Sequence, residues 1–98
     1  MIRLHIEEEL DKLWRRKINY QVNYLLTPII NNIKFSEINF YTCKKSKHIY
    51  YCCDMLGEDL SGHKFDFKVK NSNGKTAIND TFSRVRREFL RKDKKIIA

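Results

Sequence analysis

The sequence predicts a small two-layer α+β domain, and three observations carry that reading. Apolar residues recur at helical spacing near both ends, the middle alternates with a period of two, and Gly/Asn/Ser/Lys clusters punctuate the runs. The expected order is αβββα within one domain over residues 1–98: an N-terminal kinked helix or two helices, a three-stranded antiparallel sheet, and a C-terminal amphipathic basic helix.

Ile2, Leu4 and Ile6 alternate with Arg3 and His5, enough for a short initial strand before Glu7-Glu8-Glu9. Helix follows. Leu10, Trp14, Ile18 and Val22 step by four, Leu13 and Leu25 widen the stripe, and the glutamates suit the positive first turn. Trp14 is expected to be a core anchor. Thr27-Pro28 has the form of an N-cap followed by proline at the first helical position. The long helix should therefore end or kink near Leu26, and a short one restart through Ile33.

In the middle, Ile38, Phe40 and Thr42 alternate with Asn39, Tyr41 and Cys43, and His48 to Leu56 is rich in Tyr, Ile and Cys. Lys44-Lys45-Ser46-Lys47 is expected to be a four-residue turn between two strands. It would set Cys43 opposite His48, Thr42 opposite Ile49, Phe40 opposite Tyr51 and Ile38 opposite Cys53, giving one apolar face for the helices to cover. The other face would carry Asn39, Tyr41, Cys43, His48, Tyr50 and Cys52. Lys64 to Lys70 forms the third strand, with Phe65, Phe67 and Val69 on one side and Lys64, Asp66, Lys68 and Lys70 on the other. Gly57 to Gly62 and Asn71 to Gly74 supply the connecting turns.

The last helix is expected over Ala77 to Lys95, after the turn Asn73-Gly74-Lys75-Thr76. Ile78, Phe82, Val85 and Phe89 fall on one side, and Arg84, Arg87, Arg91 and Lys94 on the opposite one, with Lys95 at the edge. Thr76 or Asn79 can cap its start, where Asp80 suits the dipole. Gly74-Lys75-Thr76 ends like a phosphate-binding loop, but Val69 occupies the place of that motif's first glycine, so it is read as a turn.

Composition narrows the function. Ninety-eight residues with 42% hydrophobic and 12% aromatic content support one folded domain. No apolar run approaches a membrane span, and no signal peptide is recognised at Met1, so a cytoplasmic setting is expected. The three cysteines are expected to stay reduced. Twenty Lys/Arg against twelve Asp/Glu give a formal charge of +8, which favours a polyanionic partner. Tyrosines beside lysines on an open sheet face suit bases and phosphates respectively. The leading expectation is a non-enzymatic protein that binds nucleic acid or a nucleoprotein, mainly through phosphate. Lys44, Lys45, Lys47, Lys68, Arg84, Arg87, Arg91, Lys94, Tyr41 and Tyr50 are its candidate contacts.

The order helix, three antiparallel strands, helix is similar to that of double-stranded RNA-binding domains and of the small Alu-RNA-binding subunits of the signal recognition particle. The first resemblance implies phosphate-gripping lysines at the N-terminus of the last helix. Here Lys75 stands alone, followed by Thr76-Ala77-Ile78-Asn79-Asp80, and the basic residues come later.

Two alternatives stand beside this reading. One is a protein-interaction module, such as a viral or mobile-element inhibitor or accessory subunit docking on an acidic protein surface, with a homodimer through the sheet face as a variant. In the other, Asp54 and Asp66-Phe67-Lys68 resemble the D…(D/E)-x-K signature of the restriction-endonuclease-like superfamily. That resemblance implies Mg²⁺ held by Asp54 and Asp66, with Lys68 stabilising charge on phosphate and Glu8 or Glu9 as a further ligand. Outside it no cofactor or metal is expected. Cys52 and Cys53 point to opposite faces of a strand, and Cys43, His48 and His63 complete no zinc-knuckle spacing. A Cys43 or Cys52 nucleophile beside His48 lacks an orienting third group.

Overall fold

The computed structural model describes residues 1–8 and 10–97, with side chains described among residues 1–89. Two helices pack on one face of a four-stranded mixed sheet. In chain order the elements are β1 (Ile2–Ile6), α1 (Lys12–Leu26), a 3₁₀ turn (Ile30–Asn32), β2 (Ile33–Lys45), β3 (His48–Asp59), β4 (Lys64–Asn71) and α2 (Gly74–Ile97). The strands lie in the order β1-β2-β3-β4. The α+β class and the helix-sheet-helix succession expected from the sequence are present, with one strand added.

That strand comes from the alternation at the N-terminus. β1 pairs parallel to β2, setting Leu4 beside Ile38 and Ile6 beside Phe40. A parallel neighbour needs a crossover, and α1 supplies it. The helix starts at Lys12, not at the glutamates. Asp11 is its N-cap, its carboxylate accepting from the Leu13 N–H at 3.3 Å. Glu7 instead ties the end of β1 to β2, its carboxylate accepting from the Thr42 N–H at 3.0 Å and the Thr42 hydroxyl at 2.7 Å. Those two bonds hold the Glu7 carboxyl below its ordinary range.

α1 ends at Leu26, as Thr27-Pro28 predicts. Thr27 closes this helix instead of opening the next: its N–H and hydroxyl both donate to the Asn23 carbonyl, at 3.2 and 2.9 Å. Only a 3₁₀ turn follows before β2.

The core lies between layers. Ile38, Phe40, Cys53, Met55, Phe65 and Val69 face the helices, which contribute Ile18, Val22 and Leu26 from α1 and Ala77, Ile78, Phe82, Val85 and Phe89 from α2. All four residues of the stripe expected on the last helix are buried. Asn73, rather than Thr76 or Asn79, caps α2, its side-chain oxygen accepting from the Thr76 N–H at 3.0 Å.

The β2–β3 register differs from expectation. The turn holds two residues, Ser46 and Lys47, with Ser46 at φ 59, so Lys45 pairs with His48, Thr42 with Tyr51, Phe40 with Cys53 and Ile38 with Met55. The displacement is two residues, which preserves every assignment of face. β3 likewise runs through Gly57 to Asp59, moving the next turn to Leu60–His63. Gly57 lets strands approach closely, because a Cβ there would collide with the Phe35 carbonyl and lie 2.8 Å from the Phe65 ring.

Candidate nucleic-acid interface

Among the described residues, cations gather on three surfaces besides the outer flank of α2: a cleft between the helices, the open face of the sheet, and the tip of the β2–β3 hairpin. Their chemistry differs.

The cleft follows from burial of Ile18, Val22 and Leu26, which turns Lys17, Tyr20 and Tyr24 away from the sheet. Gln21 ties the helices together. Its amide donates to the Lys75 carbonyl and to the Asn79 side-chain oxygen, both at 3.0 Å. Trp14 stands at one end, 37% exposed, stacked on Tyr51 at 5.6 Å between centroids, and Tyr51 stacks on Phe40 at 6.0 Å. The tryptophan expected in the core therefore roofs its edge. Gly74 makes room for this stack, since a Cβ there would come within 3.1 Å of Phe40 and 3.3 Å of both Trp14 and Tyr51.

This cleft encloses about 850 Å³. A smaller depression of about 380 Å³ shares Tyr24 and Leu25 with it and reaches Arg86. The lining cations are Arg16, Lys17, Lys75 and Arg86, and among the described residues no carboxylate lines either space. Tyr20 and Tyr24 are 77% and 71% exposed, so their rings are open to a stacking partner. Arg15 is committed elsewhere, donating to the Ile6 and Glu7 carbonyls at 3.3 and 3.2 Å.

The open sheet face is charge-balanced. Glu37, Asp54, Glu58 and Asp66 are interleaved there with Arg3, Lys64, Lys68 and Lys70. Its tyrosines are engaged. Tyr41 donates its hydroxyl to Asp54 at 3.0 Å, and burial, reinforced by that carboxylate, pushes its pKa up to about 12. The Lys70 ammonium sits 4.7 Å from the centre of the Tyr50 ring. Two thiols share this face, Cys43 and Cys52, with their sulfurs 3.3 Å apart.

The tip belongs to a two-stranded overhang. β1 reaches only Phe40 and β4 only Tyr51, so residues 43–50 extend beyond both flanking strands. Lys44, Lys45, Lys47 and His48 lie on it, and all four are exposed.

The residues expected to form one site are thus distributed. Lys44, Lys45 and Lys47 occupy the tip, whereas Tyr41, Tyr50 and Lys68 occupy the sheet face. Arg84 and Arg87 are exposed on α2, on the flank they share with Asp80 and away from Gln21 and α1. The side chains of Arg91 and Lys94 lie outside the described residues. Asp54 and Asp66 are not cross-strand partners: Lys68 faces Asp54, and Leu56 faces Asp66. The carboxylate pair imagined for Mg²⁺ is therefore offset, and the described residues contain no cluster of three or more His, Cys, Asp or Glu suited to a metal ion.

Sequence reasoning missed the cleft set of Arg16, Lys17, Tyr20, Tyr24, Lys75 and Arg86. A signal was present, since Lys17, Tyr20 and Tyr24 recur at spacings of three and four beside the apolar stripe. That α1 and α2 would lie side by side was not legible from either helix.

No helix among the described residues is long and apolar enough to cross a membrane. No protein-family model matches the sequence, and no curated protein matches it either. Solved structures do resemble the fold. A ribosomal subunit interface protein from Coxiella burnetii superposes with a TM-score of 0.68 at 11% identity, over 95% of this chain and 97% of that one. The N-terminal domain of Protein Y from Thermus thermophilus gives 0.63 at 11% identity, over 91% and 93% of the respective chains. What this chain shares with the two proteins, end to end, is the fold.

Proposed function

We propose that this chain is a non-enzymatic RNA-binding protein of the ribosome, holding ribosomal RNA phosphates along the cleft between α1 and α2. The observation that carries the reading is the cleft's composition: Arg16, Lys17, Lys75 and Arg86 with exposed tyrosines and no described carboxylate. Phosphate gains from every lining charge there, whereas the sheet face offers repulsion beside each attraction. The fold likeness to a protein named for the ribosomal subunit interface supports the choice of partner. Tyr20 and Tyr24 suit unpaired bases, which RNA loops expose and uniform duplexes hide. On this reading the protein works in the cytoplasm.

Sedimentation through sucrose gradients with bacterial ribosomal subunits and joined ribosomes tests it. The chain should travel with ribosomal particles at low salt and leave them as salt rises. A variant with Arg16, Lys17, Lys75 and Arg86 changed to alanine should remain at the top. A chain that never enters the particle fractions refutes the ribosomal partner. Capture by an acidic protein surface would then be the reading to pursue.

A further inference from the structure

We infer that Cys43 and Cys52 form a thiol pair built for reversible oxidation to a cross-strand disulfide, with a hydroperoxide as the oxidant. The two residues are diagonal neighbours on one face of the β2–β3 ladder, where Cys43 pairs with Tyr50 and Tyr41 with Cys52. Their sulfurs already touch at 3.3 Å, against about 2.05 Å in a disulfide, so the bond forms once the two strands draw these side chains slightly closer. Cys53 cannot compete. It points to the opposite face, is fully buried, and packs in the core between sheet and helices.

Exposure sets the order of events. Cys43 is half-buried and open to a small oxidant, while Cys52 is 6% exposed behind it. Burial, with the hydrogen bond to Cys43, raises the Cys52 thiol to about 11, which makes Cys52 a poor first target for the peroxide. The Cys43 sulfur takes one oxygen from the peroxide, the O–O bond breaks, and a sulfenic acid forms with release of water. The Cys52 sulfur then attacks the sulfenic sulfur, the S–S bond forms, the S–O bond breaks, and a second water leaves with the thiol proton. In sum, two thiols and one hydrogen peroxide become one disulfide and two waters.

The position gives the bond a consequence. It lies at the root of the overhang, where support from β1 and β4 ends, and closes a loop over residues 44–51 that carries Lys44, Lys45 and Lys47. Pinning the root suppresses local opening of the two-stranded tip. The helical cleft is on the other side of the sheet, so this inference does not depend on the proposed RNA site.

The test treats the folded full chain with hydrogen peroxide, digests it under alkylating conditions and maps the cysteines by mass spectrometry. The expected product is a Cys43–Cys52 linked peptide, with free thiols falling from three to one and returning to three after reduction. Cys43→Ser and Cys52→Ser should each abolish the linked peptide, and oxidation in denaturant should scramble the pairing. Amide exchange over residues 44–50 should slow several-fold in the oxidised native protein. Accumulation of a Cys43 sulfinate, an intermolecular disulfide, a Cys52–Cys53 pair or three unreacted thiols would overturn the inference. A disulfide that leaves tip exchange unchanged would overturn its pinning role.

Discussion

Changing Arg16, Lys17, Lys75 and Arg86 together to alanine removes every cation lining the cleft and its extension while touching none of the buried residues. Each cation that neutralises a phosphate on single-stranded RNA releases about 0.7 of a counterion, so four contacts give log K against log salt a slope of about −3. A fourfold rise in salt, from about 50 to about 200 mM, then weakens the native complex by about 50-fold. The variant should lose that part of the slope and about two to three orders of magnitude in affinity near 0.1 M salt. Exposed cations make small contributions to folding, and the denaturation midpoint should correspond to a change within about 0.5 kcal/mol per site. Fluorescence anisotropy with a labelled ribosomal RNA loop over a salt series provides the reading. Lys44→Ala/Lys45→Ala/Lys47→Ala serves as the comparison. If that hairpin variant flattens the slope while the cleft variant keeps the native one, the cleft is the wrong surface and the charge-balance reasoning fails with it.

Other expectations follow from the same packing. Trp14 is the only tryptophan in the chain and lines the cleft, so RNA binding should change its fluorescence, whereas binding confined to the hairpin tip should leave the emission alone. Gly57→Ala should destabilise by about 3 kcal/mol in denaturant titration, because the new methyl meets the Phe35 backbone, which cannot step aside. Gly74→Ala meets aromatic side chains at 3.1–3.3 Å and should cost about 1 kcal/mol; equal losses at the two glycines would refute this account of the difference. The folded-state pKa of Glu7 is depressed by Thr42, so its clamp stabilises above the ordinary glutamate value of 4.5 and fades as pH falls through the lower folded value. Glu7→Gln should therefore be clearly less stable than the native chain near pH 7, with the gap narrowing below about pH 4. A gap that does not depend on pH would refute the charged clamp.

The parts of the fold that were legible in the sequence are those set by local periodicity. The stripe Ile78, Phe82, Val85 and Phe89 fixes the buried side of α2, and the Thr27-Pro28 boundary fixes the end of α1. The alternation of Phe65 and Val69 with charged neighbours fixes the faces of β4. Face assignment in β2 and β3 survived a wrong turn length because side chains alternate with a period of two, and the register moved by two. Non-local contacts had to await the tertiary structure. Ile2 to Ile6 shows only that a strand is possible; parallel pairing to a strand some thirty residues away depends on α1 crossing the sheet. The site divides the same way. The net charge of +8 is read directly from the sequence, but charge along a chain carries no information about which cations meet across space. Docking α1 beside α2 gathered Arg16 and Lys17 with Lys75 and Arg86 around a space that no carboxylate among the described residues lines, while strand pairing interleaved the sheet lysines with acids. The sequence alone determined the sign of the chain's own net charge and the helix–sheet layering, because both depend on composition and short-range period. Only the tertiary structure decided which surface concentrates that charge, because Coulomb energy depends on distances between elements that no local pattern records.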